Sequence, residues 1–294
     1  MGSIRVGVSG WDYDDWRGPF YPTSQPRTQH LAYVASRLDT VECNATFYSL
    51  TTPTAVRRWR DVLPQGWVMA IKGSRFITHG RRLREVRTPL ANFFASGVLE
   101  LGDRLGPVLW QLPPRMRVDA EVLDAFLDLL PRDTEAAAAL AAEHDDRVAT
   151  PAFGPKEHRR LRHVLEVRDP RALCPETVHL LRRHGAALAF SHSSRWPYVE
   201  EVTAGFVYLR LHGPGALYAS AYGDDLAWWA ARIRAWHEGG QPEDAVRLTD
   251  LPVAEQPERD VYVYFDNDAE GVAPLEALAL RSLLDSPDRP LECG

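Results

Sequence analysis

The sequence predicts an α/β fold, a single (β/α)8 barrel spanning residues 1–294, on three observations. Eight short runs rich in Val, Leu and aromatic residues recur along the chain, bounded by Gly, Pro or Asp. Helical patterns alternate with most of them over short connections, which implies parallel strands. Several strands also carry charged or polar groups at alternate positions: Glu42 and Asn44, Glu166 and Arg168, Arg210 and His212. Alternation puts each pair on one face of its strand. An open doubly wound sheet lies under apolar helices on both faces and has no place for such groups. It would also carry a Gly-rich fingerprint after its first strand, and this chain has none there. A closed barrel can gather them at one end of its axis.

The strand-like runs are IRVGVSG (4–10), TVECN (40–44), WVMAIKG (67–73), PVLWQLP (107–113), HVLEVRD (163–169), ALAFSHS (187–193), FVYLRLHG (206–213) and DVYVYFDND (260–268). TQHLAYVASRL (28–38) has apolar residues at helical spacing. Thr88 and Pro89 form an expected N-cap and first turn for a helix running to Leu99. Asp119 is expected to cap DAEVLDAFLDLL, and Pro175 to open PETVHLLRR before the stop at Gly185. DDLAWWAARIRAWHE ends at Gly239–Gly240, and GVAPLEALALRSLL precedes a Pro-rich tail. Two units are irregular. Residues 194–205 lack a helical pattern, and 131–160, with its Ala-rich stretch, reads as an external insertion on the one domain.

Composition excludes some classes. Hydrophobic residues make up 45% of the chain, but no run approaches the ~18–20 apolar residues of a membrane span. The N-terminus shows no signal-peptide pattern, so a soluble, cytoplasmic protein is expected. Cys43, Cys174 and Cys293 show no metal spacing and read as reduced thiols, with Cys43 a packing residue. The net charge of −6 disfavours generic nucleic-acid binding. The charge is uneven, however: positions 57–87 hold nine Lys/Arg and two acids.

Segments along nearly the whole chain resemble one family. They are VGVSGWDYDDWRGPFYP (6–22), DTVECNATFYSL (39–50), FITHGRRL (76–83), GPVLWQLPP (106–114), LEVRDP (165–170), VYLRLHG (207–213) and VYVYFDNDAEG (261–271). In combination they resemble the YecE-like proteins, a TIM-barrel group also called domain of unknown function 72. The resemblance implies the barrel and a distant relation to sugar isomerases. It supplies no established reaction.

In barrels the reacting groups sit at the C-terminal ends of the strands. That rule collects Trp11, Glu42, Asn44, Tyr48, Lys72, Gln111, Glu166, Arg168, His192, Arg210, His212, Asp266 and Asn267. Glu42 and Glu166 are candidate proton-transfer carboxylates, or groups that only position others. Arg168 suits a phosphate or carboxylate because its donors form a fixed fork. Arg210 and Lys72 are expected beside it, making an anion-binding mouth. Glu166 and Arg168 read equally as an internal ion pair. His212 is a candidate acid/base or substrate donor. His79, in a basic loop, reads as solvated. No cofactor is required; a divalent metal on His192 and His212 with Glu42, Glu166 or Asp266 is an alternative without a compact ligand motif. Trp11, Trp16, Phe20, Tyr21, Phe47 and Tyr48 either pack loops or line a sugar or base platform. Asn267 is expected to point into the mouth while Asp268 caps the final helix.

The leading expectation is therefore an enzyme doing acid/base chemistry (isomerase, lyase or hydrolase) on a small anionic or sugar-like ligand such as a sugar phosphate. Glu42, Glu166, His212 and Lys72 would be its catalytic groups. One alternative is a nuclease or nucleic-acid-repair protein using the basic stretch 57–87. Another is a binding protein without turnover.

Overall fold

The computed structural model describes residues 2–253 and 256–286. Cys293 and the Pro-rich tail lie outside the described residues. Eight parallel strands close one barrel in chain order: β1 (Ile4–Ser9), β2 (Thr40–Cys43), β3 (Val68–Lys72), β4 (Leu105–Gln111), β5 (His163–Glu166), β6 (Ala187–His192), β7 (Phe206–Leu211) and β8 (Asp260–Phe265). Closure runs from Ile4 opposite Val261 to Val8 opposite Phe265. Every expected strand is present and stops one to three residues short of its polar end. Those end residues turn into the loops that carry the site.

The outer ring is α1 (His30–Arg37), α2 (Ala45–Tyr48), α3 (Pro53–Val62), α4 (Arg87–Ala95), α5 (Ala120–Leu129), α6 (Thr134–Ala141), α7 (Pro175–His184), α8 (Asp225–His237) and α9 (Val272–Asp285). Asp119 caps α5 by accepting from the Glu121 amide, as expected. Pro175 opens α7, and Gly185 ends it in the left-handed conformation. The start of α4 differs from expectation. It begins at Arg87, so Thr88 lies inside the helix and makes no cap bond. The preceding turn has Arg82, Leu83 and Glu85 all at positive φ and delivers the chain to Val86, the non-helical N-cap. The Leu90 amide then bonds the Val86 carbonyl.

Within the 131–160 insertion, α6 and the following loop form an added layer against α4. The Ala152 amide bonds the Ala95 carbonyl, and Asn92 bonds Asp145. No helix lies between β6 and β7 among the described residues, matching the irregular reading of 194–205.

The barrel interior is lopsided. Ala70, Ala187 and Ala189 leave room for Tyr208, Tyr262 and Tyr264 from β7 and β8. The main core lies outside, between strands and helices, and takes in Trp16, Phe20 and Tyr21. These three are buried, with Tyr21 stacked on His30, so the packing reading holds for them. No helix among the described residues is long and apolar enough to cross a membrane.

Candidate active site at the barrel mouth

Strand alternation aims Glu42, Tyr208, Arg210 and Glu166 into the barrel near its C-terminal end. Arg210, fully buried, is the hub. Its Nε and Nη2 donate to the two oxygens of Glu42 at 3.0 and 2.8 Å. Nη1 donates to Glu166 at 2.8 Å, and Nη2 also to Asp266 at 3.0 Å. Nη1 further meets His212 Nε2 at 2.9 Å. A guanidinium has five N–H donors, and all are engaged. Arg210 therefore has no donor left for a substrate anion, which corrects the expectation that it binds one. It positions the carboxylates.

Those carboxylates are correspondingly occupied. Each oxygen of Glu42 accepts two hydrogen bonds: Oε1 from Ser9 and Arg210, Oε2 from Tyr208 and Arg210. Glu166 accepts from Arg168 Nε at 2.7 Å and from Ser191 at 3.1 Å as well as from Arg210. The internal ion-pair reading of Glu166 and Arg168 is thus realised. Burial alone would raise Glu166, but the Arg168, Arg210, His212 and Lys72 charges outweigh it and hold the carboxyl well below the usual range. For Asp266 burial is likewise outweighed, by Arg210 and His212. Ionised, hydrogen-bonded carboxylates of depressed pKa are weak proton acceptors.

His212 is buried, and burial together with Arg210 pushes its pKa down against the pull of Asp266 and Glu166. Its Nδ1 faces the His192 carbonyl at 3.2 Å. Its Nε2 lies 2.9 Å from Arg210 Nη1 and 3.2 Å from Asp266 Oδ2, so the ring is held between the hub and its carboxylates.

Two cations stand apart from this saturation. Lys72, at the end of β3, is 8% exposed. Among the described residues its Nζ has no hydrogen-bond or ion-pair partner; it sits 4.5 Å from the centre of the Phe47 ring. Burial and the Arg210 charge both lower its pKa, against the pull of Glu42, Asp266 and Glu166. Gly73 follows it because a Cβ there would lie 2.2 Å from the Trp110 ring. Arg168 stacks on Trp196 at 4.0 Å. Beyond its bond to Glu166, its Nη1 and Nη2 make only 3.5 Å contacts, with Tyr218 and His212. Such long contacts are weak, so the outer edge of this fork keeps donor capacity.

His79 joins these cations, although it reads as solvated from sequence. Its ring packs edge-on against Phe47. Burial and the charges of Arg75, Lys72 and Arg168 push its pKa down to about 4.

The remaining candidates are spread more widely. Asn44 Nδ2 donates to Ser9 at 3.0 Å, and its Oδ1 is buried without a partner among the described residues. Gln111 is buried at the end of β4. His192 bonds the Tyr222 hydroxyl at 2.8 Å. Trp11 packs edge-on against Trp59. Tyr48 is exposed.

Neither Asn267 nor Asp268 takes its expected role. Asn267 Nδ2 donates to Glu276 on α9 and to the Ser220 carbonyl, tying β8 to its helix and to the loop after β7. The Asp268 side chain makes no cap bond. Burial and the neighbouring Asp266 charge raise its carboxyl well above the usual range. Beside it, the Tyr13 hydroxyl donates to the Ser9 carbonyl at 2.7 Å. Gly10, at φ +90°, permits that return, since a Cβ there would lie 2.5 Å from the Tyr13 oxygen.

Sequence reasoning missed Tyr13, Trp196, Tyr208 and Tyr218 as site residues. Tyr208 was findable, because it lies two residues before Arg210 on the same strand face. Trp196 was not: it sits in a segment with no periodicity. Tyr218, a non-glycine residue at φ 64°, owes its place against His212 to a loop turn that no short motif announces.

Among the described residues no group of three or more His, Cys, Asp or Glu side chains is arranged to hold a metal ion. Cys43 is buried, and burial pushes its thiol up to about 11, in keeping with a packing role. In the basic stretch, Arg57, Arg60, Arg81, Arg84 and Arg87 pair with Glu100, Asp61, Glu85, Asp119 and Glu143. Most of that positive charge is neutralised locally.

Comparison with known proteins bears on the whole chain. The family model described as protein of unknown function DUF72 matches residues 5–292. The chain belongs to the DUF72 family. It is 24% identical over 261 residues to the UPF0759 protein YecE of Escherichia coli K12, covering 85% of this chain and 88% of that protein. A DUF72 family protein from Thermotoga maritima superposes with a TM-score of 0.72 at 20% identity, covering 96% of this chain and 99% of that one. One from Enterococcus faecalis gives 0.68 at 16%, covering 99% and 100%. At these identities the structures establish the shared barrel, and the site must be argued from its own residues.

Proposed function

We propose that this protein is an enzyme that transfers protons on a small anionic substrate, such as a sugar phosphate, held across the barrel mouth. The observation that carries this reading is the contrast among the mouth cations. Arg210 is fully neutralised, whereas Lys72 has no anionic partner and Arg168 keeps one edge of its fork open. A buried cation without a counter-ion is costly, and a bound anion supplies what is missing.

In this reading Arg168 holds the anionic group. The neutral form of Lys72 takes a proton from a carbon or hydroxyl of the substrate. The electron pair left behind stays on the substrate as an enolate or alkoxide, which the cationic edge stabilises. The Lys72 ammonium then returns the proton. Isomerisation and lyase cleavage use such a step; in hydrolysis the same base would take the proton from an attacking water instead. Glu42 and Glu166 act by fixing Arg210 and Arg168, and not as the base.

Thermal-shift and calorimetric titration with inorganic phosphate, fructose 6-phosphate and glycolate test the reading. At a hundredfold excess over Kd a ligand stabilises by about 2.7 kcal/mol, a rise of roughly 4 °C in a chain of this size. That rise should vanish in Arg168→Ala. Absence of stabilisation by every anion would overturn the proposal.

A further inference from the structure

Beside the cationic edge lies a hollow of about 240 Å³, formed by the loops after β2 and β3 together with α4 and the 131–160 insertion. Its walls include Tyr48, Leu50, Phe76 and Pro89. Tyr48 is 67% exposed and Phe76 48%, unusual for large apolar rings at a built cavity. Two polar residues of the lining, Asn92 and Arg147, turn to Asp145. Asn92 exchanges two 2.9 Å hydrogen bonds with Asp145, and Arg147 donates to the same carboxylate at 3.3 Å. The surface of the hollow is mainly aromatic and aliphatic.

The hollow adjoins the anion site through one side chain. The Phe47 ring lies 4.5 Å from Lys72 Nζ on one side and 5.1 Å, edge-on, from the Tyr48 ring on another. The same ring meets His79 at 5.2 Å. A wide turn after β3 (Phe76–Gly80) builds both neighbours, with Phe76 at the hollow and His79 against Phe47. These spacings fall within the length of one small molecule. A cavity of ~150 Å³ already accepts benzene, so the hollow has room for one ring.

We infer that this hollow is the second half of the substrate site and receives an aromatic or heteroaromatic ring attached to the anionic group. The inference rests on the anion site proposed above and narrows its substrate class to aryl-bearing anions. Flat rings bind ring edges and faces by offset or edge-on stacking, and Tyr48 and Phe76 present both to solvent. A substrate bridging the two halves would lie over Phe47, its anion at Arg168, its reacting atom at Lys72 and its ring between Tyr48 and Phe76.

The test uses three probes on the full chain by calorimetry: inorganic phosphate, phenyl phosphate and benzyl alcohol. Phenyl phosphate should bind roughly tenfold more tightly than phosphate, the scale expected of a stacked ring. Tyr48→Ala and Phe76→Ala, both surface changes, should each remove most of that preference and leave phosphate affinity unchanged. Equal affinity for phosphate and phenyl phosphate, or a preference that survives both variants, overturns the ring site while the anion site stands. Benzyl alcohol binding that is lost in Tyr48→Ala, with no binding of phosphate, supports the ring site and removes the anion reading. Binding of none of the three overturns both.

Discussion

At the base of the barrel Arg162 donates to Asp260 and to the Tyr262 hydroxyl, both at 2.6 Å, and Asp260 also accepts from Ser3. Nearby, His163 accepts from Trp110 Nε1 at 3.2 Å on Nδ1 and donates from Nε2 to the Pro131 carbonyl at 2.8 Å. At the mouth, Arg210 has the same completeness, yet Lys72 and the outer edge of Arg168 do not. Both ends are polar and both are built from the starts or ends of the same strands. The difference is whether the polar groups close on themselves. A closed set holds the barrel together; an open one leaves a charge for something that arrives from solvent.

The comparison breaks most visibly at Arg210. Removing one partner of a buried ion pair strands the others, at about 3–5 kcal/mol. Arg210→Met should therefore lower unfolding stability by that amount in urea, with Glu42, Glu166 and Asp266 left facing each other. A loss under about 1 kcal/mol, the scale of surface pairs, would show that the network is not the hub described.

The base has its own signature, in pH. Burial holds the His163 pKa down to about 4, and protonating Nδ1 would set a new N–H against the Trp110 N–H. The unfolded chain binds this proton near the ordinary histidine value and the folded chain does not. Stability is thus fully present above about pH 6.5 and is lost as the pH falls toward 4, by about 3 kcal/mol in total. His163→Gln keeps one donor and one acceptor and should flatten the urea stability profile between pH 6.5 and 4.5. An unchanged slope would assign the effect elsewhere.

Lys72 should give the smallest change and the opposite sign. Lys72→Met removes a buried cation that lacks a counter-ion, so stability should stay within about 1 kcal/mol of the parent or rise, while anion binding and turnover fall. Destabilisation comparable to that of Arg210→Met would mean that Lys72 belongs to the closed set.

Much of this was legible beforehand. The strand runs, the Asp119 cap and the Pro175 and Gly185 boundaries follow from local chemistry that acts over a few residues. So does the membership of Glu42, Lys72, Glu166, Arg168, Arg210, His212 and Asp266 in one mouth, because strand alternation sends every second residue inward. The start of α4 was misplaced because three left-handed residues, none of them glycine, shape the turn before it. Asn267 and Asp268 depart from expectation because β8 stops at Phe265, and beyond it the loop, not strand alternation, decides where each side chain goes. His79 was misjudged because a wide turn brings it back against Phe47.

The sequence by itself determined the barrel and the polarity of its mouth, since both depend on periodicity and on which residue types recur at strand ends. It could not rank the cations there. Arg168 and Arg210 are the same residue type, each two positions from another charged or titratable residue on its own strand. Only closure of the barrel sets Arg210 among carboxylates from β2, β5 and the end of β8, and stacks Arg168 on Trp196 with one edge free. Neutralisation depends on distances between segments far apart in the chain, and those distances exist only once the strands have met.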